Sequence, residues 1–317
     1  MTGFVSEIEA AGKRIRPHIR ETLLEPSAAL GRAGANVFFK CENLQHTGSF
    51  KARGALNKVL SLSKAEIARG VVTASTGNHG AAVAYALKSV GAKATVFVPE
   101  DASAAKLAAI ERYGSEIRRH GADSGQTEAF ARQKAENSGA AYISPYNDPQ
   151  VIGGQGTIAI ELLRQLPEID AVFVALGGGG LAGGIGAYLK AVSPRTQLIA
   201  CSPVNSQVMI QSVAAGRILD LESLPTLSDG TAGGVEAGSI TFPLVRDTAD
   251  AFVTVSEDEI ASAMRLVMET HHMLIEGAAG VAVAAFRQQE NRWKGANVVI
   301  VLCGANISLS ALKAILP

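Results

Sequence analysis

Short apolar runs alternate with helix-length amphipathic segments along most of this 317-residue chain, and that rhythm restricts the folds open to it. Strand-like runs fall at 71–74, 94–98, 116–119 and 140–143, separated by helical patterns near 78–90, 103–113 and 124–138. A second series places strands at 171–176, 197–201, 251–255 and 297–302, with helices near 153–166, 181–192, 205–216, 256–273 and 277–290. An earlier strand, 36–41, follows an amphipathic N-terminal helix. Strand–helix alternation demands crossover connections, so the strands pair mostly in parallel and are covered on both faces. The expectation is an α/β protein with two open, mostly parallel-sheet lobes and a cleft between them, since 317 residues is long for one core. In such sheets ligands bind beyond the carboxyl ends of the strands.

Composition narrows the partners. Acidic and basic side chains balance at 29 each, which leaves no field to attract nucleic acid or an anionic membrane. No apolar run approaches the ~20 residues of a membrane span, and the first 17 residues lack a signal-peptide core. The three cysteines, Cys41, Cys201 and Cys303, are odd in number and far apart, which argues against a disulfide framework and against zinc. The expected compartment is cytoplasmic.

Four segments carry unusual chemistry. In Gly48-Ser-Phe-Lys-Ala-Arg-Gly54, Ser49 reads as an N-cap and Lys51 falls in the first turn of a helix, where the amide dipoles disfavour a cation. A lysine so placed suits an amine able to form a Schiff base; a lone lysine is more often a solvated surface residue. Ala74-Ser-Thr-Gly-Asn-His-Gly80 joins a strand to a helix and offers hydroxyls, an amide and backbone N–H groups to a carboxylate, although ordinary capping loops use the same residue types. Gly177-Gly-Gly-Gly-Leu181 follows a strand and opens a helix, so that backbone amides converge with no side chain between them, as a phosphate requires. Gly178, Gly180 and Gly183 satisfy G-x-G-x-x-G, but the next strand ends Cys201-Ser202-Pro203 with no acid for a ribose, which counts against NAD. A small phosphate on a compact cofactor fits better. Finally, Cys303 follows the last strand and points toward the same crevice, or is a buried small apolar residue.

Together these pieces describe a pyridoxal 5′-phosphate site. GSFKARGA (48–55), ASTGNHG (74–80), IGGQGTIAIEL (152–162), GGGGLAGG (177–184), SDGTAGG (228–234), LIEGAAGVAVAA (274–285) and LCGAN (302–306) occur in the order of the threonine/serine dehydratase family of fold-type II pyridoxal-phosphate enzymes, which the whole chain resembles. The resemblance implies a large cofactor-binding domain from 1–60 and 149–317 and a small domain from 61–148. It implies that Lys51 carries the cofactor covalently, Phe50 packs on its ring, Asn78 bonds the ring's 3′-oxygen, and Gly177, Gly178, Gly179, Gly180 and Leu181 hold the phosphate. Gly230 and Glu276 fall near the ring, Cys303 stands at the pyridine nitrogen where many members have serine, and Ser75, Thr76, Gly77 and His79 lie in the loop taking the substrate carboxylate. The implied reaction is loss of the β-hydroxyl from a small β-hydroxy-α-amino acid to give a 2-oxo acid and ammonia.

Departures refine this. Metal-dependent members carry acids where this chain has Ser202 and Val208, so no cation site is expected. Racemizing members have serine at the place of Thr76, which makes an amino-acid racemase the alternative. SDGTAGGVEAG and SPVNSQVM resemble members tied to hydroxyectoine breakdown. A homodimer is the family's habit.

Overall fold

The computed structural model describes residues 2–102 and 104–316. Ten strands form two sheets among these residues: β1 (Leu24–Pro26), β2 (Asn36–Lys40), β3 (Val71–Ala74), β4 (Ala94–Val98), β5 (Glu116–Arg119), β6 (Ala141–Tyr142), β7 (Ala171–Ala175), β8 (Gln197–Pro203), β9 (Ala251–Val255) and β10 (Asn297–Val301). One sheet runs β1-β2-β10-β7-β8-β9 and the other β5-β4-β3-β6. All pairings are parallel except that of β1 with β2, where Leu24 lies opposite Lys40. The fold is therefore α/β with two parallel-sheet regions.

Burial explains the composition of the strands. Every residue of β7 is buried, as a central parallel strand under helices on both faces should be. The edge strand β5, Glu-Ile-Arg-Arg, exposes its charges and so resists further pairing. Strand positions in the sequence pattern agree with the structure to within two residues, and β1 escapes the pattern because three residues carry no periodicity.

Helix starts are set by caps. Asp148 accepts from the amides of Gln150 and Val151 and Pro149 occupies the first position, so the helix Pro149–Gln165 begins before the expected residue 153. The helix expected at 205–216 is shorter, Val208–Ala215, and ends on Gly216 with φ 70°. Short helices at Lys64–Arg69, Thr241–Thr248 and Leu309–Ile315 were not legible from periodicity. Ser49 is not an N-cap: the helix Lys51–Ser61 has no side-chain cap, and Ser49 is extended and bridged to Gly304. The chain needs that extended residue to pair with the end of β10 before it turns.

Two helices cross where neither has a side chain. A Cβ on Gly54 would stand 2.7 Å from the Val151 carbonyl oxygen, and one on Gly154 would stand 2.5 Å from that of Arg53. This contact seats the lysine helix on Pro149–Gln165. The larger core surrounds the six-stranded sheet. The core of the four-stranded sheet draws in Ala55, Leu56 and Val59 from the lysine helix, together with Ile15 and Ile19. No helix among the described residues is long and apolar enough to cross a membrane.

Candidate active site

Lys51 is anchored from three sides before its amine enters the picture. The Phe50 amide donates to the Cys303 carbonyl at 3.0 Å, and the Ala305 amide donates to that of Gly48 at 2.9 Å, so the segment is laced to the end of β10. Thr47 (φ 65°) and Gly48 (φ 71°) both adopt left-handed backbone here. Asn306 Nδ2 holds the turn by donating to the Thr47 carbonyl at 2.8 Å. Beneath the helix, Arg53 is fully buried and grips Glu42 and Glu161 through four contacts of 2.8 Å. Lys40 reaches Glu161 at 2.6 Å. Two cations and two anions thus neutralise one another where unpaired charge would be costly.

The Lys51 Nζ donates to the Pro145 carbonyl at 2.8 Å and stands 5.2 Å from the centroid of the Phe50 ring. Burial pushes its pKa down to about 8, while Cys303, Glu276 and Glu128 pull the other way. An amine in that range is partly uncharged near neutrality, as a nucleophile or proton acceptor must be.

Asn78, at the start of the helix Asn78–Ser89, donates to both oxygens of Glu276 at 3.0 and 2.9 Å. Its carbonyl oxygen accepts from Asn306 Nδ2 at 2.6 Å. Burial lifts the Glu276 carboxyl to about 7, the hydrogen bond from Asn78 opposing that rise. The Cys303 thiol is buried and its pKa pushed well up, by burial and then by Glu276, so it stays a thiol. Gly230 lies near this group, with room for a Cβ 3.6 Å from Glu276 Oε1.

The glycine loop is closed to side chains. A Cβ on Gly177 would stand 2.8 Å from the Thr231 Cα, and one on Gly178 would stand 2.5 Å from the Tyr146 ring. Gly179, with φ 86°, is the N-cap of the helix Gly180–Val192. Among the described residues the amides of Gly177 through Ala182 meet no hydrogen-bond acceptor. Leu181 buries its side chain in the core and leaves its amide to the loop. A row of open amides at a helix N-terminus, walled by Thr231 and Tyr146, fits a phosphate group.

In the 74–80 loop, the Ser75 amide is used by the Phe97 carbonyl at 3.1 Å and the Gly77 amide by Ser75 Oγ at 3.2 Å. Among the described residues the amides of Thr76, Asn78 and His79 meet no acceptor. The His79 imidazole is buried and meets the Ile143 carbonyl, its Nε2 lying 3.0 Å away, and its Nδ1 has no partner among the described residues. Burial, with Lys51 nearby, drives its pKa down to about 3, so the ring is neutral. Its backbone, rather than its ring, is available for a carboxylate. Ser202 turns its hydroxyl to the Leu176 carbonyl at 2.8 Å, and Val208 is buried.

Three contributors were not singled out from sequence. Tyr146 covers Gly178 and Gly180, the Pro145 carbonyl holds Lys51, and Asn306 ties Asn78 to Thr47. Asn306 closes the LCGAN motif, and an amide there was its only signal. Tyr146 and Pro145 sit in Ser-Pro-Tyr-Asn-Asp, a turn-like run with no distinguishing mark.

Comparison with known proteins gives the family. The pyridoxal-phosphate dependent enzyme profile matches residues 15–304. Serine racemase of Arabidopsis thaliana is 39% identical over 314 residues, covering 97% of this chain and 94% of its own. L-threonine ammonia-lyase of Thermotoga maritima is 37% identical over 313 residues, covering 98% of this chain and 78% of its own. The processed form of threonine deaminase isoform 2 from Solanum lycopersicum superposes with a TM-score of 0.94 at 32% identity, over 99% of this chain and 86% of that one.

Proposed function

The chain belongs to the pyridoxal-phosphate dependent enzyme family, and we propose that within it the protein is a dehydratase that releases ammonia from a small β-hydroxy-α-amino acid of the serine or threonine type. The observation that carries this reading is the buried amine of Lys51, held by the Pro145 carbonyl next to Tyr146, whose ring lies against a glycine loop with unused amides. The cofactor, when bound, supplies an aldehyde for that amine and a ring that takes up the charge left when the α-proton departs.

The chain's own groups do the rest. Gly177 to Gly180 and Leu181 would hold the phosphate, Phe50 one face of the ring, and Asn78 the ring hydroxyl. The Asn78 amide carries a second N–H beyond the one that the two Glu276 oxygens can share. Cys303 offers the ring nitrogen a neutral thiol, a weak partner that does not add positive charge to the ring. Lys51, freed from Pro145, holds or moves a proton at the α-carbon. Thr76 and the amides of residues 76–79 would orient the substrate carboxylate, with Ser75 and Gly77 shaping the loop. We read residues 61–148 as the small domain, 1–60 and 149–317 as the large one, and the assembly as a cytoplasmic homodimer.

A second reading is an amino-acid racemase, favoured by the serine racemase relatives. It needs a second proton donor, and Thr76 supplies a hydroxyl there with a methyl group crowding that face. One assay separates the two: purified enzyme with serine or threonine yields a 2-oxo acid and ammonia in the first case and inverted amino acid in the second. Borohydride treatment that fixes no pyridoxal on Lys51 would remove both.

A further inference from the structure

Residues 233–238, Gly-Gly-Val-Glu-Ala-Gly, form a segment of small residues with one charge. Gly233 (φ 118°) and Gly238 (φ 72°) adopt left-handed backbone at its two ends, and a Cβ on Gly233, Gly234 or Gly238 would meet nothing within 4 Å. The Gly233 amide donates to Ser223 Oγ at 3.2 Å and Val235 packs against the larger core; the side-chain polar hold on the segment comes from one residue.

That residue is Glu236. One oxygen pairs with the guanidinium of Arg132, on the helix Ser124–Ser138 beside the four-stranded sheet. The other accepts from Asn147 Nδ2 at 2.8 Å, and the Glu236 amide donates to the Tyr146 hydroxyl at 2.9 Å. Arg132 is itself oriented by Glu128 at 2.9 Å and by the Tyr142 ring, whose centroid lies 4.4 Å from the guanidinium carbon. The Tyr146 ring in turn covers Gly178 and Gly180. The Arg132 and Glu236 side chains keep 32% and 24% of their exposure, so water and salt reach the pair.

We infer that residues 233–238 are a strap that Glu236 latches to Arg132, closing the cleft between the two sheet regions and holding Tyr146 down over the glycine loop. Release of this ion pair loosens the strap about its two glycines and weakens its hold on the Tyr146 ring over Gly178. The strap thereby sets how readily the phosphate-bearing group enters and leaves. This inference rests on the reading of the glycine loop as the phosphate site, but the latch itself is measurable without turnover.

The test is amide hydrogen exchange of the strap in wild type, Glu236→Gln, Arg132→Met and the double variant, each with and without bound pyridoxal phosphate. Exchange of 234–238 is expected to rise at least about tenfold in each single variant, and the double variant should exchange no faster than the singles because one contact is lost in all three. Loss of cofactor on dialysis should accelerate in the same order. Glu236→Asp, which keeps the charge on a shorter stem, should fall between wild type and Glu236→Gln and guards against a variant that fails to fold. Unchanged strap exchange in the single variants, or effects that multiply in the double variant, overturns the latch. A wild type that exchanges as expected yet releases no ammonia from any amino acid would instead sink the proposed reaction and leave the latch standing.

Discussion

Asn78 Nδ2 stands 3.0 and 2.9 Å from the two oxygens of Glu276, although 198 residues separate them. This contact joins the helix after β3, in one sheet region, to the N-cap of the helix Gly277–Gln289 in the other. It places a buried carboxyl against the amide expected to face the ring.

Glu276 therefore makes the fold sensitive to pH. Its folded pKa, about 7, exceeds the unfolded value, so its contribution is fully present below about 4.5 and is lost as pH rises through 7. Glu276→Gln should flatten the fall in unfolding free energy over that window by up to about 3 kcal/mol, read from urea titrations at several pH values. An unchanged slope would show that the carboxyl titrates normally.

His79 works in the opposite sense. Its folded pKa is depressed to about 3, so its contribution is present above the unfolded 6.5 and is lost as pH falls toward 3. His79→Gln, which can still donate to Ile143, should soften acid unfolding in that range. Equal acid midpoints for the two proteins would contradict the buried neutral ring.

Lys51→Ala should fold with near wild-type stability yet lose turnover to the rate of free pyridoxal phosphate, and borohydride should no longer label it. Measurable ammonia release above that background counts against the assigned role.

Gly178→Ala forces a methyl group to within 2.5 Å of the Tyr146 ring. Overpacking of this kind costs about 1–3 kcal/mol, and the displaced ring should weaken cofactor binding at least about tenfold. A spectroscopic titration of the stripped protein with pyridoxal phosphate measures it.

Arg53→Met leaves Glu42 and Glu161 buried with only Lys40 to balance them. Breaking such a buried cluster costs about 3–5 kcal/mol, detectable as a shifted denaturant midpoint. Because Arg53 sits two residues after Lys51, the same variant should slow turnover even where it remains folded.

The alternation of strands and helices, the cofactor class, the helix start beside Lys51 and the open glycine turn were legible in the amino-acid order. Each is a local pattern: a period, a cap, a run of residues without side chains. β1 and the three short helices were not, because elements this short lack periodicity and exist through pairing and capping. Ser49 was misread as a cap because serine before a helical run is the usual signal, whereas here pairing with Gly304 claims its backbone. The contact of the His79 ring with the Ile143 carbonyl was not legible either, because its partner lies 64 residues away.

Sequence alone determined that a lysine at a helix start and a glycine run between a strand and a helix occur in one chain, since both follow from residue type and spacing. Only the tertiary structure decided what those groups feel. The pKa of Lys51 near 8, the carboxyl of Glu276 near 7, and the Tyr146 ring over Gly178 come from burial and from partners distant in the chain. Electrostatics in a cleft depends on distance through space, which spacing along the chain does not encode.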